Sequence, residues 1–124
     1  MGRPCTFAST SSGRDLVDPL AVLLPPSRAI DKPANSAFSR PNLVQALRAQ
    51  SVTPVVVTGS ETDVCVLATV MAAVDLGFQI VLPTDALCST SEGTHNALLK
   101  LYRGRFRLQI EATTTEDVQR CWNG

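Results

Sequence analysis

The sequence predicts an α/β fold in three layers, a mostly parallel, Rossmann-like sheet flanked by helices. Two observations carry this. Pro54-Val55-Val56-Val57-Thr58 is a β-branched run with no polar alternation, the pattern of a strand buried on both faces of a parallel sheet. An apolar helical stretch and then a second short apolar run, Phe78 to Leu82, follow it, completing a βαβ unit that should cross over right-handedly.

The elements follow in order. Residues 1 to 14 are rich in Ser and Thr, carry Arg3 and Arg14, and contain no acid. Residues 1–15 are read as an irregular or disordered tail in preference to a transit segment. Met1-Gly2 with Thr6 fits the loose myristoylation pattern, a weak signal that is discounted. Residues 16–124 are read as the domain itself. From Leu16 to Pro26 the chain is apolar but interrupted by Pro19, Pro25 and Pro26, so it reads as a loop or short helix leading inward. Ser27 to Lys32 is a short strand candidate. Pro41 opens a helix running to Gln50, with Leu43, Val44 and Leu47 on one face. Gly59 to Thr62 is a turn, and a helix runs from Asp63 to Leu76, with Gly77 at the stop position. Ser89-Thr90-Ser91-Glu92 matches a capping box and opens a helix to Tyr102. Phe106, Leu108 and Ile110 alternate as a strand, and Thr114 with Glu116 and Asp117 begins a last helix near whose end Trp122 and Val118 act as anchors.

Composition narrows the function. The chain has 124 residues, 44% of them hydrophobic and 18% charged, with zero formal net charge. No basic stripe suits a phosphate backbone, which argues against nucleic-acid binding. The longest apolar stretch, Val64 to Leu76, is shorter than the roughly 20 residues that a bilayer requires, so no membrane partner is expected. Cys5, Cys65, Cys88 and Cys121 are scattered, without a C-x-x-C pair, which argues against structural zinc and a disulfide scaffold and for a reduced, cytoplasmic setting. His95 is the only histidine, so no multi-histidine metal centre can be built. It reads as a solvated or loosely paired side chain, and Cys88 as a simply buried one. No cofactor is called for.

Chemistry concentrates after the first buried strand, because ligand sites of parallel sheets gather at carboxyl ends. If Thr62 or Asp63 caps the following helix, Cys65 falls in its first turn. There the helix dipole and free N–H groups favour a thiolate and could receive an oxyanion. The competing reading is a small core hydrophobe. Lys32, in an apolar and proline-rich neighbourhood, would stabilise a nearby thiolate; the competing reading is a surface lysine beside Asp31.

Gly59-Ser60-Glu61-Thr62-Asp63-Val64-Cys65-Val66-Leu67-Ala68-Thr69 resembles the signature G-x-x-T-[DN]-x-C-V-x-x-T of the isochorismatase-like cysteine hydrolases. Ala73 to Phe78 resembles that family's A-x-x-x-G-[YF] helix end, and Thr84-Asp85-Ala86 its strand-terminal D-A, where Asp85 reads as structural. Asp31-Lys32 with Ser36-Ala37-Phe38 resembles its lysine segment, K-x-x-x-S-x-F. The resemblance runs from about residue 16 to the end. It implies hydrolysis of a small amide or related C–N bond through a thioester on Cys65. Lys32 would steady the thiolate charge, and the backbone N–H groups of Glu61 and Cys65 would form the oxyanion hole. It also implies a cis peptide joining Ser60 to Glu61, a small-molecule substrate and, by analogy alone, a homo-oligomer. In isochorismatases proper the reaction is vinyl-ether hydrolysis, with no obvious need for the cysteine.

One family element has no match. Nothing before Lys32 resembles the first strand that ends in the family's catalytic aspartate; Asp15 and Asp18 sit among Gly13, Arg14 and Pro19. The expectation is a chain whose first strand is missing. The alternative function is therefore a catalytically impaired remnant that is structural or oligomer-forming only.

Overall fold

The computed structural model describes residues 30–123. The tail, the proline-interrupted stretch and the first half of the Ser27–Lys32 strand candidate lie outside the described residues. The other half, Ile30 to Lys32, is irregular chain and not strand.

Among the described residues a 3-10 turn, Ala37–Ser39, comes first, with the Ser36 hydroxyl accepting from the Phe38 N–H at its start. Helix α1 (Pro41–Ala49) follows and then strand β1 (Pro54–Val56). The short strand β2 (Gly59–Ser60) leads through a turn into α2 (Cys65–Asp75). Strand β3 (Gln79–Pro83), the short strand β4 (Leu87–Cys88) and helix α3 (Glu92–Gly104) come next. Strand β5 (Ile110–Thr113) and helix α4 (Thr115–Asn123) complete the described chain.

Strands β1, β3 and β5 form a parallel sheet in the order β1-β3-β5, with Val55, Ile80 and Ile110 in register. Strands β2 and β4 make a separate parallel pair just beyond, Ser60 opposite Cys88. Ile80, Leu82 and Ile110 share one sheet face because strand side chains alternate, and all three are buried. Val66, Val70 and Ala73 of α2, at helical spacing, and Tyr102 of α3 complete this core. Gly77 closes α2 with φ +89°, a conformation that a side chain would resist.

Several boundaries differ from expectation for identifiable reasons. Helix α2 starts at Cys65, two residues late, because the Glu61 carbonyl accepts from the Val64 and Val66 N–H groups and winds residues 62–64 into a turn. Helix α3 is capped by Ser91, whose hydroxyl accepts from the Thr94 N–H, because the Ser89 side chain is engaged elsewhere. Of the alternating Phe106, Leu108 and Ile110 only Ile110 is in a strand, as the first residue of β5. The Phe106 carbonyl accepts from Gln109 and Ile110, the chain turns, and Leu108 is left 79% exposed. Trp122 does not anchor α4 but stands 78% exposed. Cys88 is disulfide-bonded and not a buried thiol, whereas Cys65 and Cys121 are free.

Asp85 has the structural role read for it. Its carboxylate accepts from both the N–H (2.9 Å) and the hydroxyl (2.6 Å) of Thr115 at the start of α4. Those hydrogen bonds hold its carboxyl below the usual range.

Candidate active site

The turn Glu61–Val64 leaves the paired ends of β2 and β4 and delivers Cys65 to the first position of α2. The peptide between Ser60 and Glu61 is cis. As the first helical residue, Cys65 has an N–H without an intrahelical acceptor. The Glu61 carbonyl takes the N–H groups on either side of it, those of Val64 (3.1 Å) and Val66 (3.0 Å).

Three successive residues of this turn are tied to the β4–α3 junction. The Glu61 carboxylate accepts from the Thr90 N–H at 2.9 Å. Thr62 donates its N–H to the Cys88 carbonyl at 3.0 Å, and its hydroxyl lies 2.7 Å from His95 Nδ1 in a hydrogen bond buried on both sides. The Asp63 carboxylate accepts from the hydroxyls of Ser89 and Thr94, each at 2.6 Å. Thr62 and Asp63 therefore brace the turn that positions Cys65. His95, expected to be solvated, is only 7% exposed and is part of the brace. Its position on α3 one turn beyond the Ser91 cap directs it inward.

The hydrogen bonds from Ser89 and then Thr94 hold the Asp63 carboxyl below its ordinary value, with a smaller contribution from His95. Burial pushes the Tyr102 phenol up to about 12, and the negative charge of Asp63 adds to the shift. Because the Asp63 value is depressed in the fold, its stabilisation is present above the unfolded value of about 3.9 and is lost as pH falls through the folded value. Asp63→Asn is thus expected to unfold at lower denaturant than the parent near pH 6, by up to about 1–2 kcal/mol. Repeating the denaturation near pH 3 should narrow that gap; a gap independent of pH would remove the charge from the explanation.

The lysine segment approaches Cys65 from the other side. Lys32 is exposed, and its ammonium donates to the Ala34 carbonyl at 3.2 Å. The Cys65 thiol donates to Asn35 Oδ1 at 3.6 Å. Ala37 donates its N–H to the Thr69 hydroxyl at 3.0 Å, which lashes the segment to α2 one helical turn beyond the cysteine. Phe38 stacks on Phe78 with centroids 5.8 Å apart, over which the Arg48 guanidinium lies at 6.0 Å. Between the segment and the sheet lies a cleft of about 360 Å³ whose lining includes Lys32, Phe38, Val55, Ser60, Cys65 and Thr69. The two expected catalytic side chains thus face one cavity. Among the described residues no carboxylate lines it, and no group of three or more His, Cys, Asp or Glu is placed to hold a metal.

The Isochorismatase domain model matches residues 2–117. The chain belongs to the isochorismatase family. The probable hydrolase YcaC of Escherichia coli (strain K12) is 27% identical over 119 residues, 94% of this chain and 57% of YcaC. This isochorismatase-family chain therefore spans little more than half the length of that relative. The nicotinamidase SaPncA from Staphylococcus aureus superposes with a TM-score of 0.74 at 28% identity, covering 86% of this chain and 69% of SaPncA. The pyrazinamidase/nicotinamidase from Streptococcus mutans UA159 is 38% identical with a TM-score of 0.61, over 65% of this chain and 45% of its own. YcaC is described as a probable hydrolase and the two structural neighbours as nicotinamidases, and this chain shares the neighbours' α/β fold.

Sequence reasoning missed Asn35, His95 and the Ser89–Thr94 pair. None carries a local signal: each acquires its role through a contact 26 to 33 residues away along the chain.

Proposed function

We propose that this isochorismatase-family chain hydrolyses a small amide or related C–N bond through a thioester on Cys65. The observation that carries the reading is the placement of a free cysteine at the first position of α2, opening with Lys32 onto one cleft. A helix N-terminus favours negative charge at the sulfur. The sulfur attacks the carbonyl carbon, and the carbonyl π pair moves onto oxygen. The N–H groups of Glu61 and Cys65 stabilise that oxyanion. Collapse re-forms the carbonyl and breaks the C–N bond, the nitrogen leaving with the proton that the thiol gave up, relayed by water. Water then adds to the thioester, and the acid departs with the thiol restored. Lys32 offsets the negative charge that accumulates at sulfur and oxygen. The nicotinamidase neighbours make small aromatic amides the first substrates to try, and the apolar wall of Phe38 and Val55 suits a flat ring.

The test pairs ammonia release from nicotinamide, pyrazinamide and small aliphatic amides with peptide-resolved alkylation by iodoacetamide. Cys65 should be modified at least about tenfold faster than Cys121 at pH 6. An amide that is turned over should slow that modification. Equal rates at the two cysteines, with no ammonia from any amide, would leave the reading without support.

A further inference from the structure

The Cys65 thiol has a partner that the family signature does not contain. Its sulfur lies 3.6 Å from Asn35 Oδ1, and this is a contact between side chains 30 residues apart. The backbone around Asn35 is held on both sides. The Ala34 carbonyl accepts from the Lys32 ammonium, Ser36 caps the following turn, and the Ala37 N–H is bound to Thr69 on the cysteine's own helix. The Asn35 side chain itself is exposed, so its terminal amide can turn while its Cα stays fixed over the sulfur.

A primary amide has an acceptor at one end and donors at the other. The arrangement with Oδ1 towards sulfur suits a protonated thiol. Rotation by a half-turn about χ2 puts Nδ2–H there instead, which suits a thiolate, and a charge-assisted hydrogen bond is the stronger of the two. We propose that Asn35 is a further catalytic residue of this chain, an amide that accepts from the Cys65 thiol and, after rotation, donates to the thiolate. When the thiol ionises its proton goes to water, and no other group changes state. The proposal rests on the nucleophile reading of Cys65 for its catalytic meaning, but the contact itself can be tested independently. Few other charges face the sulfur. Lys32 lines the cleft, whereas the Glu61 carboxylate is bound to the Thr90 N–H and that of Asp63 to Ser89 and Thr94. His95, hydrogen-bonded to Thr62 of the same turn, is a further ionisable group beside it, and none of these residues changes in the variants below.

The experiment is peptide-resolved iodoacetamide alkylation from pH 5 to 9 on the parent, Asn35→Leu and Asn35→Asp, with Cys121 as the internal reference. Leu is close to Asn in size but cannot donate; Asp cannot donate when ionised and repels a thiolate. Asn35→Leu should slow Cys65 about threefold to tenfold at pH 7 by moving its rate profile to higher pH, with the plateau kept. Asn35→Asp should move the profile further the same way, and Cys121 should not respond in either. Both substitutions are at an exposed position, and a melting curve for each shows that the fold is retained. Superimposable Cys65 profiles in all three proteins overturn the proposal, and so does faster Cys65 modification in Asn35→Asp at pH 7. The displacement between variants is read whatever the parent's absolute reactivity. Failure of the nucleophile reading shows separately, as amide hydrolysis that survives Cys65→Ala.

Discussion

Cys65→Ala is expected to lower kcat/KM for any small amide that the chain hydrolyses by at least about 10³-fold, with the fold unchanged. The two halves of that expectation have different causes. Chemically, alanine removes the only thiol among the described residues that line the cleft, and the remaining N–H groups and Lys32 can do no more than polarise a carbonyl for water. Structurally, the side chain is half-buried at a helix start, alanine is a good helix former, and what is lost is one sulfur with a weak bond to Asn35. Cys65→Ser is the closer control, since it keeps an attacking atom and its geometry but replaces a thiol with a far weaker nucleophile. Matching thermal midpoints for the three proteins would assign the loss to chemistry. Hydrolysis of an amide that stays within about tenfold of the parent in Cys65→Ala would end the covalent mechanism. Hydrolysis confined to a vinyl ether and indifferent to Cys65 would instead match the reaction of isochorismatases proper.

The parts of this molecule that were legible in its sequence are those whose cause is local. The β-branched run at Pro54–Thr58 does supply a parallel strand, β1, but only over Pro54–Val56 at the sheet edge. There Pro54 and Val56 are exposed, and the strand is not buried on both faces as its pattern suggested. Pro41 stands at the first position of α1, and Gly77 stops α2 with a positive φ. The turn between strand and helix carries Cys65 to a helix start, and α2 begins within two residues of its expected place. The misreadings share a different cause. Ser89 has the spacing of a capping residue, but Asp63 competes for its hydroxyl and Ser91 caps α3 instead. His95 sits in a polar-looking stretch beside Asn96, and only the fold brings Thr62 to it. Phe106, Leu108 and Ile110 offer too few alternations to outweigh the turn that ends α3. In the candidate site the same division holds. Cys65 and Lys32 were singled out as residue types in a pattern, and both line the cleft, whereas the brace behind Cys65 and the amide beside it exist only as contacts between distant segments.

Lys32→Met is expected to reduce kcat/KM by about 10²-fold, the usual scale for removing one group that stabilises developing charge. Methionine retains much of the stem and its apolar contact with the cleft, so the difference measured is that of the charge. The geometry adds a condition. In the resting site the ammonium is bonded to the Ala34 carbonyl in its own turn and not to the sulfur. It can act by moving to the sulfur once a thiolate or an oxyanion forms, or across the cleft without moving. The two modes differ in salt dependence, because a solvent-facing charge acting at a distance is screened within about 10 Å at 0.1 M salt, while a direct contact is screened much less. The parent's kcat/KM and its Cys65 alkylation rate should therefore be followed from low salt to 1 M beside those of Lys32→Met. Direct contact predicts a gap between the two proteins that persists at 1 M. Action across the cleft predicts that the gap closes, and Lys32→Arg, which keeps the charge but not the compact head, then restores most of the rate. If Lys32→Met matches the parent at every salt concentration, Lys32 is a surface lysine that happens to border the cleft, and the charge balance of the site must be sought elsewhere in the chain.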